Sequence, residues 1–495
     1  MHNRFINPFS ALFHAAMRSP KRFRGNVCPN TRLWPAGALP KVEPGQIAWA
    51  ALPTGPRTNL DQFGQLASTY QRWDRWRNCV NVEIYRDIPL CQFHLFTRDI
   101  NLKIVQFGLC FSPNLGDGII AECIAYGLVA RNPQAEVAHV DLSARRARGD
   151  IVIRNRETIL AIADRLPLSV RQFLARWKLN RLLDGVTDAW TKAAEADLAV
   201  IGGGQIFSDA NLNFPLKIGR TAQILAEKGT ACAVYGVGVS SNWTPQGTEL
   251  FRQLERAQLR MVGVRDAGSL AAWQQQMPGN PRPEITLDPG LLAAACYGPV
   301  APVKGNIGLC VTDFALLAHH ADGHVAGQAA GGLAFFTSVA LATIKAGHTV
   351  TLFCNGAAED LALLRRLTKT PELANLLQSG QAIIPEPPKT PAELAKTIAG
   401  CEAVIAHRLH ACIIAYSYQR PVVGLGWDSK LQSFFELAGI AGSFSADPDI
   451  TADHIVGMAR AAIEAGISTK DHVRLMGEAW DGIDRLLNCV KADGS

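Results

Sequence analysis

The sequence predicts an α/β protein built of two successive, doubly wound, Rossmann-like domains, and three observations carry that prediction. Apolar runs of strand length alternate with helical stretches through most of the chain, the pattern that gives parallel sheets covered by helices. The alternation comes in two series, one opening near Lys103 and the other near Ile307. Polar or glycine-rich clusters follow the strands, and open parallel sheets bind ligands outside the carboxyl ends of their strands. With 495 residues, 48% hydrophobic and 19% charged, the chain is long enough for two or three separate cores.

Residues 1–100 stand before this pattern as an extension. No Asp or Glu precedes Pro40, while Arg4, Arg18, Lys21, Arg22, Arg24 and Arg32 are basic. Phe5, Ile6, Phe9, Leu12, Phe13 and Met17 fall near helical spacing. That combination reads as an amphipathic segment lying on an anionic membrane, as an irregular start, or as a transit peptide. Residues 43–66 are rich in Pro and Gly and read as linker, and 70–100 carry Trp73, Trp76, Tyr85, Phe93 and Phe96, able to pack on a neighbour.

The first domain is expected over 101–300. A strand at 103–109 leads through Asn114-Leu-Gly116-Asp117 into a helix at 119–130. Gly116 permits close backbone approach, and Asp117 can cap the helix or border the cleft together with Asn114. A strand at 136–140 and helices within 157–195 follow. The strand at 197–201 ends in Gly202-Gly203-Gly204, which reads either as a tight turn or as room for a ligand. This run is not a dinucleotide fingerprint, because no G-x-G-x-x-G is present. Strands at 231–237 and 261–264 are next, and the second ends in Arg265-Asp266-Ala-Gly-Ser269. Asp266 and Ser269 suit the first turn of a helix. Arg265, at a strand end, is placed to fork onto a carboxylate or phosphate. Asp288-Pro289-Gly290 reads as the end of the domain.

The second domain is expected over 301–451, with strands at 308–311, 348–353, 382–385, 404–406 and 421–425. His407-Arg408-Leu409-His410 follows one of these strands, and Lys430 follows the next. Arg408, His410 and Lys430 are cations beside apolar walls at helix N-termini, a setting that suits a small, multiply anionic ligand. Residues 452–495 read as helices that cross back onto the first domain.

In this order the motifs resemble the polysaccharide pyruvyl transferase family. Arg408-Leu409-His410, the small-residue helix after it, Pro421-Val-Val-Gly and Trp427-Asp-Ser-Lys430 look like that family's C-terminal signature. Asn114-Leu-Gly116-Asp117, the glycine triplet and Arg265-Asp266-x-x-Ser269 resemble its earlier motifs, so the resemblance runs from about 105 to 437. It implies a glycosyltransferase-B-like pair of domains facing across a cleft. It also implies transfer of a pyruvate ketal from phosphoenolpyruvate to two hydroxyls of one sugar in a glycan or lipid-linked saccharide precursor. Phosphoenolpyruvate carries a carboxylate and a phosphate, so Arg265 and Arg408 are the expected clamps. His410 is the expected general acid and base, because an imidazole titrates near ~6.5. His407 is the alternative acid, and Lys430 would stabilise the departing phosphate. Asn114, Asp117, Gly203 and Gly204 are expected to border the substrate. No metal or cofactor is called for.

Two other readings compete. A glycosyltransferase using a nucleotide-sugar donor would be stabilised by that donor and not by phosphoenolpyruvate. A non-catalytic glycan-binding relative would bind without turnover. A net charge of +6 with no basic face interleaved with aromatics argues against a nucleic-acid partner. Twelve scattered cysteines, without a C-x-x-C pair, read as reduced thiols of a cytoplasmic protein. A place at the inner membrane face is expected if the acceptor is lipid-linked. His319, His320 and His324 lack the spacing of a metal site and read as a surface or lid loop.

Overall fold

The computed structural model describes residues 102–149, 168–279, 281–318 and 324–491. The extension at 1–100 and the pair His319-His320 lie outside the described residues.

Six strands form the first sheet: β1 (Leu102–Gly108), β2 (Ala135–Asp141), β3 (Leu198–Phe207), β4 (Ala231–Val239), β5 (Gln258–Val264) and β6 (Pro283–Ile285). Their order is β2-β1-β3-β4-β5-β6, parallel throughout. The second sheet holds β7 (Val303–Cys310), β8 (Thr349–Phe353), β9 (Ala382–Ile383), β10 (Cys401–Ala406), β11 (Val422–Leu425) and β12 (Phe444–Ser445). Its order is β12-β11-β10-β7-β8-β9, again parallel. The central strands are buried on both faces, which is why they read as continuous apolar runs without alternation.

Each order reverses direction once, between β1 and β3 in the first sheet and between β7 and β10 in the second. At such a switch point the crossover helices leave on opposite faces and open a crevice at the strand ends. The Asn114-to-Asp117 loop follows β1, the glycine triplet lies in β3, and Arg408 with His410 follows β10. The topology therefore sets the strongest sequence motifs at the two crevices.

The two sheets share a core. Ile119, Ile124 and Leu128 of helix Leu115–Arg131 belong to one buried apolar cluster with Leu394 and Ile398 of helix Pro391–Ala399 and with Ile413 and Ile414 of helix Leu409–Ser417. Hydrogen bonds also cross: Leu115 N donates to Asn355 O at 2.8 Å, and Ala294 N donates to Ser417 Oγ at 2.8 Å. The last helix, Thr469–Lys491, runs back to the first sheet, where Arg485 pairs with Glu284 at 3.0 Å and Asp484 with Arg131 at 3.0 Å. No helix among the described residues is long and apolar enough to cross a membrane.

Two expectations are corrected. The glycine triplet is neither a turn nor a strand end, since β3 continues through it to Phe207. Gly203 and Gly204 take φ of +82° and +76°, and the pairing with β4 slips between Gly204 and Phe207. This is a bulge, which only residues free of a Cβ penalty accommodate cheaply. β4 likewise runs on through Gly236 and Gly238 to Val239. The short helices at Phe314–Ala318 and Pro371–Gln378 have no counterpart among the expected elements.

Candidate active site

Arg265 follows β5 and is only 7% exposed. Its guanidinium is held on three sides: Nη2 donates to Gln205 Oε1 at 2.9 Å, Nε to Asp266 Oδ2 at 3.3 Å, and Nη1 lies 3.8 Å from Asp288 Oδ2. Asp266 also caps the next helix as expected, with Oδ1 accepting from Ser269 N at 2.7 Å.

His410 comes from the second domain, in the first turn of helix Leu409–Ser417. Its Nε2 lies 3.6 Å from the same oxygen, Asp288 Oδ2. One carboxylate of the first domain thus draws together a guanidinium from its own domain and an imidazole from the other. Asp288 Oδ1 is occupied by the N–H of Gly290 at 2.9 Å, which fixes the carboxyl plane. Burial would push the Asp288 carboxyl up, but the His410 contact and charge and the Arg265 charge outweigh it and hold the group below its usual range.

The helix that begins at Leu115 approaches the imidazole closely. A Cβ on Gly116 would stand 2.8 Å from both Cβ and Nδ1 of His410. The expectation for Gly116 was close approach to a ligand; what approaches is the His410 ring. Asp117, one residue on, is neighbour to His410, Ser112 and Arg408, and burial raises its carboxyl while His410 opposes the rise. The capping role expected of Asp117 is absent: Asn114 occupies the cap position, and its side chain makes no cap bond. Gly204 leaves room beside Asp117, where a Cβ would stand 3.6 Å from Oδ1, and a Cβ on Gly203 would run into Ile120.

Arg408 donates from Nε and Nη2 to Asp360 Oδ2 at 3.1 and 2.6 Å. Asp360 is fully buried, and its other oxygen accepts from Asp313 N at 2.9 Å. Burial raises the Asp360 carboxyl, and the Arg408 charge resists that rise. Lys430 is turned onto Asp428 in its own loop at 3.5 Å, while Asp428 caps helix Ser429–Leu437. Lys430 therefore does not meet His410 directly.

His407 is removed as the alternative acid. It is fully buried, its Nε2 meets Ala326 O at 3.0 Å, and the rings of Phe314, Phe335 and Phe336 surround it edge-on. Burial pulls its pKa down to about 4, so it is a neutral core residue at neutral pH.

Three buried atoms at this place have no hydrogen-bond partner: Asn114 Oδ1, His410 Nε2 and Asp288 Oδ2. Two of them, His410 Nε2 and Asp288 Oδ2, face each other at 3.6 Å, and a buried polar atom left without a partner costs ~1–3 kcal/mol. No group of three His, Cys, Asp or Glu among the described residues could hold a metal ion.

Sequence reasoning missed Asp288 and Asp360. Asp288 read only as part of the Asp288-Pro289-Gly290 domain end, and Asp360 was not singled out. Neither has a local signal, because each is defined by a partner more than 40 residues away.

A sequence profile described as Polysaccharide pyruvyl transferase matches residues 114–429, well over half of the chain. The chain belongs to the polysaccharide pyruvyl transferase family. It is accordingly a transferase. The matched segment runs from Asn114 through Ser429 and so contains Arg265, Asp288, Asp360, Arg408 and His410, stopping just short of Lys430. No curated protein matches this sequence.

Among solved structures, the chain is similar to S. aureus MnaA in a co-structure with UDP, at 11% identity and TM-score 0.43, covering 79% of this chain and 96% of that one. A putative UDP-N-acetylglucosamine 2-epimerase from Listeria monocytogenes is 10% identical, with TM-score 0.46 and coverage of 78% and 95%. The E. coli ADP-heptose lps heptosyltransferase II is 15% identical, with TM-score 0.35 and coverage of 74% and 99%.

Proposed function

We propose that the protein transfers the pyruvyl group of phosphoenolpyruvate to two hydroxyls of one sugar in a polysaccharide or lipid-linked saccharide precursor, forming a cyclic ketal and releasing phosphate. The observation that most supports this reading is the meeting of Arg265 and His410 on Asp288 Oδ2, two domains contributing to one charged centre.

The chemistry asks for a proton donor beside cations. His410 gives a proton to the methylene carbon of the enol, which becomes a methyl group and leaves an oxocarbenium-like carbon. One sugar hydroxyl adds there and loses its proton. The second hydroxyl displaces phosphate, loses its proton and closes the ring. Asp288, across from Nε2 at 3.6 Å, fixes the ring that must aim the proton. Arg408 and Arg265 clamp the two anionic ends of the donor, and Asp360, Asp266 and Gln205 hold those guanidinium planes in place. A preset plane matters because bidentate recognition is geometric as well as electrostatic. Lys430 receives the departing phosphate, and its 25% exposed side chain leaves it free to swing from Asp428. Asn114 Oδ1, unpaired and buried, accepts from an acceptor hydroxyl.

The test is phosphate release from phosphoenolpyruvate in the presence of a saccharide acceptor, with His410→Ala as control. General acid catalysis contributes ~10²–10⁴-fold. A loss below about tenfold would remove His410 as the principal acid. Thermal stabilisation by a nucleotide sugar, without any by phosphoenolpyruvate, would favour the glycosyltransferase reading instead.

A further inference from the structure

The proposed chemistry leaves one buried cation unused. Lys217 lies in helix Asn213–Lys228, which follows β3, and is 5% exposed. A buried ammonium is costly unless it is paired. Yet among the described residues its only side-chain hydrogen bond is to Ser143 Oγ at 3.0 Å, and no carboxylate forms an ion pair with it. The acid beside Ser143, Asp141, is already taken. Its Oδ1 accepts from Ser143 N at 2.8 Å and from Arg145 Nη1 at 3.4 Å, and its Oδ2 accepts from Phe111 N at 2.8 Å. The Phe214 ring stands 5.1 Å from Nζ and gives only partial compensation. Burial, with the Arg145 charge adding to it and the Asp141 charge opposing it, pulls the Lys217 pKa down to about 8.

Place decides what this cluster is for. Phe111 follows β1, Ser143 and Arg145 follow β2, and Lys217 opens the helix after β3, so all converge at the carboxyl ends of three adjacent strands. This is the ligand side of the sheet, at its switch point. Arg265 follows β5, four strand spacings from β2, or roughly 19 Å at ~4.8 Å per strand. A three-carbon donor held by Arg265 and Arg408 does not span that distance, but a saccharide bearing a phosphate does. Asp117 is within the electrostatic reach of both His410 and Arg145.

We infer that Lys217 Nζ, Ser143 Oγ and Arg145 form an oxyanion subsite that takes a phosphate or diphosphate group carried by the acceptor saccharide. The inference deepens the pyruvyl-transfer reading and rests on it only for the word acceptor.

The experiment is calorimetric titration of the full chain with inorganic pyrophosphate, comparing wild type, Lys217→Met and Lys430→Met, each with and without saturating phosphoenolpyruvate. Thermal melts of the same proteins accompany it. The expected result is that wild type and Lys430→Met bind pyrophosphate alike, and that phosphoenolpyruvate does not displace it. Lys217→Met should lose at least tenfold in affinity while its melting temperature rises, because an uncompensated buried charge has gone. A lysine kept for structure behaves oppositely: Lys217→Met melts lower and still binds pyrophosphate, which overturns the proposal. Displacement by phosphoenolpyruvate, or loss of binding in Lys430→Met alone, assigns the anion to the donor site and also overturns it. Absence of pyrophosphate binding in wild type does the same. Should Lys217→Met fail to fold, Arg145→Met is titrated in its place, with the same tenfold loss expected and unchanged affinity counting against the subsite. No arm requires turnover, so a failure of pyruvyl transfer and a failure of this subsite are read separately.

Discussion

Replacing Asp288 by Asn keeps the shape of the side chain and removes the charge that faces His410 and Arg265. The cost follows from the distances. At an effective dielectric near 20, unit charges 3.6 Å apart attract by ~4–5 kcal/mol. Asp288 is buried, so salt screens this little. The carboxylate holds the ring that donates the proton, and each ~1.36 kcal/mol lost from that step is tenfold in rate. Asp288→Asn should therefore lower kcat by ~10²–10⁴, as far as removing the general acid itself. The apparent affinity for phosphoenolpyruvate should move less, since Gln205 and Asp266 still hold the Arg265 guanidinium when the Asp288 charge is gone. The assay is phosphate release from phosphoenolpyruvate with acceptor, on Asp288→Asn, His410→Ala and the double variant. Residues acting as one unit are strongly non-additive, so the double variant should be no slower than His410→Ala. An Asp288→Asn enzyme within tenfold of wild type, or a double variant showing the product of the two losses, would refute the reasoning.

Three other outcomes follow from the same geometry. Gly116→Ala puts a methyl group where the His410 ring stands, so activity should drop by one to two orders of magnitude, with a crystal structure showing the imidazole displaced; an unmoved ring and full activity would contradict it. His407, whose folded pKa of about 4 lies below the unfolded ~6.5, keeps its full contribution above pH 6.5 and loses it as pH falls toward 4; the loss is on the order of 3 kcal/mol by urea titration across that window, and His407→Gln should flatten the slope. Asp360→Asn breaks a buried pair and leaves Arg408 uncompensated, costing on the order of 3 kcal/mol in a urea midpoint measurement; a change under about half a kcal/mol would mean the pair is not structural.

The alternation of strands and helices was legible because hydrophobic period is local. Arg265, Arg408 and His410 were legible because each follows an apolar run directly, where a parallel sheet presents its ligand side. His410 and His407 could not be told apart in this way. That distinction depends on which side of β10 each ring leaves, and the Phe314, Phe335 and Phe336 wall that buries His407 comes from segments far earlier in the chain. Asp288 and Asp360 were invisible as partners for the same reason. The glycine triplet misled through its composition, because three glycines suggest a turn, whereas tertiary pairing with β4 keeps the chain extended through a bulge. Lys217 is an ordinary helical lysine by sequence, and only its burial sets it apart.

Proton NMR of the product formed from phosphoenolpyruvate and a saccharide acceptor in deuterated water probes the proposed proton transfer at the carbon that receives it. A ketal methyl group carrying one solvent-derived deuterium is expected, formed in step with phosphate release and lost in His410→Ala. Release of phosphate without a ketal methyl, or a ketal formed equally well by His410→Ala, would contradict the role given to His410 and the reaction built on it.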